Sequence, residues 1–100
     1  MIIFHPAAQQ ELLEAATYYE EQLNDLGVEC LVTIEEALTR IEQEPLANFL
    51  SHPKLNIRRC VVSRFPYVIY YRAAEEFIEV YAIAHQARKP DYWLNRQKLN

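Results

Sequence analysis

The sequence predicts a single α+β domain in which two helices, joined as a hairpin, cover one face of an antiparallel sheet. The first half of the chain carries the three-and-four spacing of apolar residues that is typical of amphipathic helices. The second half carries runs of β-branched and aromatic residues, which favour strands. With 100 residues, the chain is long enough for one hydrophobic core and too short for two, so we expect one domain over residues 1–100.

A short first strand and two helices are predicted for the first half. Pro6 ends the apolar run Met1–Phe4 and suits the first turn of a helix. The first helix has an apolar stripe formed by Leu12, Ala16, Tyr19, Leu23 and Leu26. Gly27, the only glycine, follows this stripe and is expected to cap the helix in the left-handed conformation. A second stripe ends before Pro45 and is formed by Leu31, Ile34, Leu38 and Ile41. Because the link around residues 25–27 is short, the helices should be antiparallel.

Three antiparallel strands are predicted for the second half, over Ile57–Arg64, Tyr67–Arg72 and Phe77–His85. The connection Ala73–Glu76 contains neither Gly nor Asn, which favours a four-residue loop. That loop would set the facing pairs Tyr71–Ile78, Ile69–Val80 and Tyr67–Ala82, which form an apolar face for the helices. The reverse face would then carry Val68, Tyr70, Arg72, Glu79, Tyr81, Ile83 and His85.

Two further segments lack a clear period. Leu46–Leu55 follows Pro45, contains Pro53 and is expected to be a loop, held to the core by Phe49 and Leu50. Pro90 breaks the last strand and is expected to open a short helix, Asp91–Arg96, in which Trp93 is a packing anchor.

Composition excludes several classes of protein. No apolar run approaches the ~20 residues of a membrane span, and the first ten residues do not resemble a secretory signal, so we expect a cytoplasmic protein. Cys30 and Cys60 lack metal-binding spacing and should be buried packing residues. The three histidines are scattered, and Gly-rich phosphate loops and HExxH or GxSxG motifs are absent, so neither a metal nor a cofactor is expected.

Charge is divided between the two halves of the chain. Residues 1–50 hold ten acidic residues and one basic residue, whereas residues 51–100 hold four acidic and nine basic residues, within a net charge of −4. A basic surface on an acidic body can bind phosphate groups or an acidic peptide locally. Most carboxylates of the first half are expected to lie on a solvated helical surface.

The candidate site is a group of cations and tyrosines on the predicted sheet. The binding candidates are Arg58, Arg59, Tyr70, Tyr81, Arg88 and Lys89. Since side chains alternate along a strand, Arg58 and Arg64 should share one face and Arg59 the other. A metal-free ribonuclease would need His85 as acid or base and Arg64 or Arg72 to hold the phosphate. The alternatives are a hydrogen-bonded His85 that closes a strand, and arginines that form a docking surface.

Three stretches carry a resemblance over essentially the whole chain: HPAAQQELLEAATYYEEQ, RRCVVSRFPYVIYYR and AIAHQARKPDYW. They resemble the RelE/ParE family of toxins from type II toxin–antitoxin systems, and specifically its ParE-like, plasmid-stabilisation branch. This resemblance implies the element order β-α-α-β-β-β-α. It also implies a toxin that arrests growth and is neutralised by a cognate antitoxin, whose C-terminal segment wraps over the sheet and helices.

The resemblance leaves two mechanisms and a third role open. Members of the RelE branch cleave mRNA on the ribosome, as mRNA interferases, and members of the ParE branch poison DNA gyrase. The positions of Arg59, Arg64, Arg72 and His85 are comparable with the RelE-type site, so His85, Arg72 and Arg64 would be catalytic only in a ribonuclease. The acidic net charge argues against a strong ribosome binder, which favours gyrase binding. A third possible role is that of an attenuated toxin that only binds antitoxin. A homodimer is also possible.

Overall fold

The computed structural model describes residues 1–98 as a five-stranded sheet with two helices on one face. The helices are α1 (Pro6–Gln22) and α2 (Leu26–Gln43). The strands are β1 (Ile2–Phe4), β2 (Phe49–His52), β3 (Ile57–Val61), β4 (Tyr67–Ala73) and β5 (Ile78–His85), and 3-10 turns cover Pro53–Leu55 and Leu94–Lys98. The strand order is β1-β5-β4-β3-β2, in which β1 runs parallel to β5 and all other neighbours are antiparallel. The predicted α+β fold with its helical hairpin is confirmed. The sheet is mixed rather than wholly antiparallel, because β1 and β5 are parallel neighbours. The helices and the other strands lie between them in the chain and form the long connection that a parallel pair requires.

The helical hairpin forms as predicted, but the end of the first stripe does not: α1 ends at Gln22, Leu23 is exposed and Leu26 begins α2. His5 caps α1, since its Nδ1 accepts a hydrogen bond from the N–H of Ala7 at 3.0 Å, and Pro6 occupies the first turn. The buried face of α2 is formed by Cys30, Ile34, Ala37, Leu38 and Ile41. These side chains join the sheet residues in the main core. In residues 1–98, neither helix has the length and apolar character needed to cross a membrane.

The predicted role of Gly27 is wrong. It lies in the first turn of α2, and the left-handed residue of the link is Asp25, with φ 70°. Gly27 is needed for a different reason: a Cβ there would lie 2.4 Å from the carbonyl oxygen of Ala16 on α1. The Glu20 carboxylate accepts hydrogen bonds from the N–H groups of Asp25 and Gly27, each at 3.0 Å. The glycine therefore allows the two helices to approach closely rather than ending the first one.

The segment predicted as a loop contains an additional edge strand, β2. It pairs with β3 through Phe49–Arg59, Leu50–Arg58 and His52–Ile57, with an irregularity at Ser51. A strand of four residues with two flanking prolines carries too short a pattern to be recognised from periodicity. Phe49 does not hold the segment to the core, because it is 66% exposed, with the Arg59 guanidinium 5.3 Å from its ring centre.

The predicted register between β4 and β5 is also wrong. The loop lies one residue later than expected, since the N–H of Ala74 bonds to the carbonyl of Phe77, and this moves Val80 opposite Tyr71. A β-bulge at Tyr81 then places Ala82 opposite Tyr70. Beyond the bulge the side chains exchange faces, so Ile83 packs beneath the helices and Ala82 and Ala84 lie on the reverse side. Strand β3 ends at Val61, so Arg64 lies in the following turn, with φ 69°.

A second, smaller core lies on the reverse side of the sheet, around Trp93. The tryptophan is 1% exposed and stacks on Tyr70 at 4.5 Å between ring centres, so its predicted packing role is confirmed. The predicted helix Asp91–Arg96 is instead a series of turns that leads into a 3-10 turn. Cys30 and Cys60 are buried free thiols, and burial raises the pKa of each, as suits packing residues.

Candidate functional site

The reverse face of the sheet, opposite the helices, carries most of the predicted binding residues. Register places Arg59 beside Tyr70, and both project on the side that the C-terminal segment partly covers. His52 supports this segment, because its Nε2 lies 3.0 Å from Asp91 Oδ1 and its ring lies edge-on to Trp93 at 5.1 Å. The C-terminal segment thus covers one part of the reverse face and leaves the rest exposed to solvent.

A basic groove of about 250 Å³ lies in the open half. It is lined by Arg59, Val68, Tyr70, Ala84, His85, Gln86, Arg88, Lys89, Pro90, Asp91, Tyr92 and Trp93. Within residues 1–98, the Arg59, Arg88 and Lys89 side chains form no salt bridge, and Asp91 pairs with His52. The Arg88 guanidinium lies 3.8 Å above the centre of the Tyr92 ring. Three cations and several aromatic rings are therefore available to an anionic partner.

Arg72 lies on the same face but is already paired. Its Nε donates to Glu79 Oε1 at 2.8 Å, and a second guanidinium nitrogen also contacts that oxygen. The hydroxyl of Tyr81 donates to the same Glu79 oxygen at 2.9 Å. Burial, followed by this hydrogen bond, raises the pKa of Tyr81 to about 12. Arg72 and Tyr81 therefore belong to a cluster that neutralises one carboxylate.

Arg58 and Arg64 serve other parts of the molecule. The Arg58 side chain lies on the helix side of the sheet and donates to the carbonyls of Leu46 and Asn48 at 3.2 and 2.8 Å. It therefore holds the segment that leads into β2. The Arg64 guanidinium bonds to Glu29 on α2 at 2.7 Å, and both side chains are exposed. This exposed pair links the turn after β3 to the helical hairpin.

His85 ends β5 on the helix side. Its ring lies edge-on to Tyr67 with centres 5.2 Å apart, and its Nδ1 accepts a hydrogen bond from the N–H of Ala87 at 3.0 Å. His85 faces Tyr67 across the sheet, whereas Arg72 faces Glu79. Five residues of extended chain along β4 therefore separate the two sites by about 17 Å. The structure gathers Arg59, Tyr70, His85, Arg88 and Lys89, and it places Arg58, Arg64, Arg72 and Tyr81 elsewhere.

Comparison with known proteins decides the family. The family model described as the ParE toxin of the type II toxin–antitoxin system, parDE, matches residues 2–90. The chain belongs to the ParE toxin family. A search of curated proteins gives no match.

The ParE fold also agrees with a solved structure. A chain of the chromosomal ParDE TA system from P. aeruginosa superimposes with a TM-score of 0.73 at 17% sequence identity. The match covers 84% of this chain and 92% of that one. At this identity the likeness establishes a shared fold.

The segment beyond the family match is held by a buried carboxylate that the sequence did not single out. Glu11 of this ParE toxin lies on α1, and its side chain is 10% exposed. Its two oxygens pair with the two terminal nitrogens of Arg96 at 2.9 and 3.0 Å, in a bidentate arrangement. The hydroxyl of Tyr92 donates to Glu11 at 2.5 Å, and burial followed by this bond raises the pKa of Tyr92. No sequence pattern signals this cluster, because Glu11 and Arg96 are 85 residues apart.

Proposed function

We propose that this ParE toxin arrests growth in the cytoplasm by binding DNA gyrase, and that a cognate antitoxin holds it inactive. One observation carries this function: the free cations of the reverse face surround a groove with aromatic walls, and Arg72, the cation expected to act with His85, lies outside it. Such a surface suits the binding of a macromolecule rather than proton transfer.

The positions of His85 and Arg72, the residues that a ribonuclease would use, favour gyrase binding over RNA cleavage. Cleavage of RNA would need a proton-transfer group and a cation on the same phosphate, within a few ångströms of each other. His85 and Arg72 are about 17 Å apart along the sheet. Arg72 is also engaged by Glu79, so its charge is already compensated.

The charge of the basic groove supports recognition of an anionic surface. The protein carries a net charge of −4, yet Arg59, Arg88 and Lys89 meet at one groove without an acidic partner in the part of the chain that the structure describes. Local potential of this kind steers a partner of opposite charge and fixes its orientation. An acidic region on gyrase or on the antitoxin would meet this requirement, so the two partners would compete.

Induction in growing bacteria, combined with a supercoiling assay on purified gyrase, tests this function. We expect the wild type to inhibit supercoiling, and the double variant Arg59→Ala/Lys89→Ala to need at least ~10-fold more toxin for the same inhibition. Lys54→Ala, which removes an exposed cation elsewhere, is the matched control and should behave as wild type. Unchanged supercoiling at toxin concentrations that stop growth would refute gyrase as the target.

Ribosome-dependent mRNA cleavage is the second candidate, because His85 borders the same groove as Arg88. It makes a distinct demand on His85, which would have to exchange a proton. In a ribonuclease, His85→Gln should lower cleavage by ~10²-fold or more, whereas in a gyrase-binding toxin it should alter growth arrest only weakly. Primer extension that reveals new 5′ ends within ribosome-bound codons after induction would establish this second mechanism. An attenuated toxin would bind antitoxin and cause neither effect.

A further inference from the structure

Hydrogen bonds connect a hydroxyl, an imidazole and a carboxylate at the β2 edge of the sheet. The Oγ of Ser51 lies 2.8 Å from His52 Nδ1, and His52 Nε2 lies 3.0 Å from Asp91 Oδ1. In this order the groups are a nucleophile, a base and a group that orients the base, which is the arrangement that activates a serine for acyl transfer. The carboxylate lies 39 residues from the imidazole in the chain, so no short motif announces the set.

An irregularity in β2 brings the hydroxyl beside the imidazole. In a regular strand, neighbouring side chains point to opposite faces of the sheet and do not bond to each other. Here the pair Leu50–Arg58 is followed by His52–Ile57, which leaves Ser51 as an additional residue on its strand. Such a bulge changes the direction of a side chain. The Ser51 hydroxyl therefore lies within hydrogen-bond distance of the next ring.

The carboxylate determines which ring nitrogen of His52 is the base. An ionised carboxylate only accepts hydrogen bonds, so the neutral ring donates its Nε2–H to Asp91 and leaves Nδ1 as the acceptor. The carbonyl of Ile57 is a second acceptor for the Ser51 hydroxyl, at the longer distance of 3.3 Å. The hydroxyl proton of Ser51 therefore has a base within reach.

Packing holds the base in position. The His52 side chain is 22% exposed. Its ring lies edge-on to Trp93 and Tyr70, with ring centres 5.1 and 6.3 Å away. Since Trp93 belongs to the smaller core on the reverse side, the imidazole is fixed by the folded domain before any substrate arrives.

A depression of about 580 Å³ adjoins the hydroxyl and the imidazole. It is lined by Ser51, His52, Pro53, Lys54 and Leu55. Pro53 and Leu55 supply apolar surface, and its volume lies within the range of small-molecule sites. A small uncharged ester suits this site, with its carbonyl carbon at Ser51 and its acyl chain on the apolar surface.

We propose that Ser51, His52 and Asp91 form an active site that hydrolyses small activated esters. The Oγ of Ser51 bonds to the ester carbonyl carbon while its proton passes to His52 Nδ1. The bond to the leaving oxygen then breaks, and His52 gives the proton to that oxygen, which releases the alcohol and leaves the acyl group on Ser51.

Water completes the reaction by the same route. Its oxygen bonds to the acyl carbon while its proton passes to His52, the bond to Ser51 breaks, and the proton returns to Oγ as the carboxylic acid leaves. Ser51 and His52 are catalytic residues, and Asp91 is a positioning residue that keeps the ring in the required tautomer. This activity goes beyond the proposed gyrase binding and uses none of the cations assigned to it.

Reaction of the full-length toxin with p-nitrophenyl butyrate tests the site. We expect the wild type to release p-nitrophenol at least ~10²-fold faster than Ser51→Ala, and mass spectrometry after acid quenching to locate the butyryl group on Ser51. Asp91→Asn should lower the rate at saturating ester by at least ~10-fold, with the half-saturating ester concentration changed less than ~2-fold. Asparagine also suits the left-handed backbone of Asp91, with φ 60°.

Ser63→Ala is the matched control, because Ser63 is the other serine of the chain and lies exposed in the turn after β3. We expect it to react as the wild type does, and thermal melts check that every variant folds. Equal rates for the wild type and Ser51→Ala, or butyryl groups only on other residues, would overturn the active site and leave the three residues as a link that holds the C-terminal segment. Inhibition of gyrase by Ser51→Ala should equal that of the wild type, so the two activities fail or succeed in separate assays.

Discussion

At the scale of single residues, Glu11 and Arg96 form the most buried ion pair among residues 1–98. Both side chains are largely removed from solvent, with exposures of 10% and 14%. A buried ion pair is costly to break, because removing one partner leaves the other charge without compensation. Here Glu11 also accepts from the N–H of Ile83 and Arg96 donates to the carbonyl of Tyr81, so loss of the pair would leave main-chain groups of β5 unpaired as well.

Substitution of Glu11 tests this dependence. We expect Glu11→Ala to lower the free energy of unfolding by ~3–5 kcal/mol, because Arg96 and the hydroxyl of Tyr92 both lose their partner. Glu14→Ala, one turn farther along α1 at an exposed position, should cost less than ~0.5 kcal/mol. Urea denaturation of both variants measures the difference. Equal small losses would mean that the pair contributes no net stability.

Buried phenols give the protein an upper pH limit. Burial raises the pKa of Tyr67 to about 12 from an ordinary value near 10. The neutral phenol is therefore favoured in the folded state, and its contribution is complete below pH ~10 and lost as the pH rises toward 12. We expect the free energy of unfolding to fall over this interval, by at most ~3 kcal/mol for this phenol. Tyr67→Phe should make the fall shallower in denaturation curves recorded between pH 9 and 12.

At the scale of elements, the helices and strands that could be predicted from the sequence are those with a long and regular pattern of apolar residues. The stripe of Ile34, Leu38 and Ile41 extends over several turns of α2, and all three residues are buried. Strand β2 is too short to show a period, and the bulge at Tyr81 arises from pairing with β4. The groove residues Arg59, Arg88 and Lys89 were identified by composition alone. Their meeting at one groove depends on strand pairing and on the path of the chain after β5, which composition does not specify.

The stripe of α2 makes a quantitative prediction. Leu38→Ala should lower the free energy of unfolding by ~2–5 kcal/mol, because the side chain is buried against the sheet and leaves a cavity. Glu35→Ala changes an exposed position on the same helix and should have almost no effect. Urea melts of the two variants compare the faces of α2 directly, and similar small losses at both would contradict the packing.

The contact between the two helices at Gly27 gives a second stability prediction. Here helix propensity and a steric clash have opposite effects on stability. At a solvent-exposed position inside a helix, Gly→Ala stabilises the folded protein by up to ~1 kcal/mol through helix propensity. At Gly27 the added methyl would meet the carbonyl of Ala16, so Gly27→Ala should instead destabilise by ~1–3 kcal/mol. A rise in thermal stability would show that the hairpin can separate without cost.

At the scale of the whole molecule, the sheet has packed layers on both sides. The helices cover one face, and Trp93 with Ile57, Tyr81, Ala82 and Ala84 forms a smaller core on the other. The C-terminal segment is therefore part of the folded domain, although the family match ends at residue 90. It covers part of the reverse face and leaves the basic groove open beside it.

Trp93 is the test of this second core. We expect Trp93→Ala to lower the free energy of unfolding by ~3–5 kcal/mol, since the ring is buried and stacked on Tyr70. Trp93→Phe keeps most of the apolar volume and should cost clearly less. Denaturation followed by circular dichroism compares the two variants, because the substitutions remove the only tryptophan. Wild-type stability in Trp93→Ala would mean that the segment merely rests on the sheet.

The bulge at Tyr81 changes which face of the sheet each later residue of β5 occupies. One additional residue changes the phase of everything after it, so even-numbered positions face the helices before the bulge and odd-numbered positions face them afterwards. This change of phase places the His85 ring against Tyr67 on the helix side of β5, and Ala84 in the core on the reverse side. If β5 paired with β4 through Tyr81 without the bulge, the same sequence would exchange these two assignments.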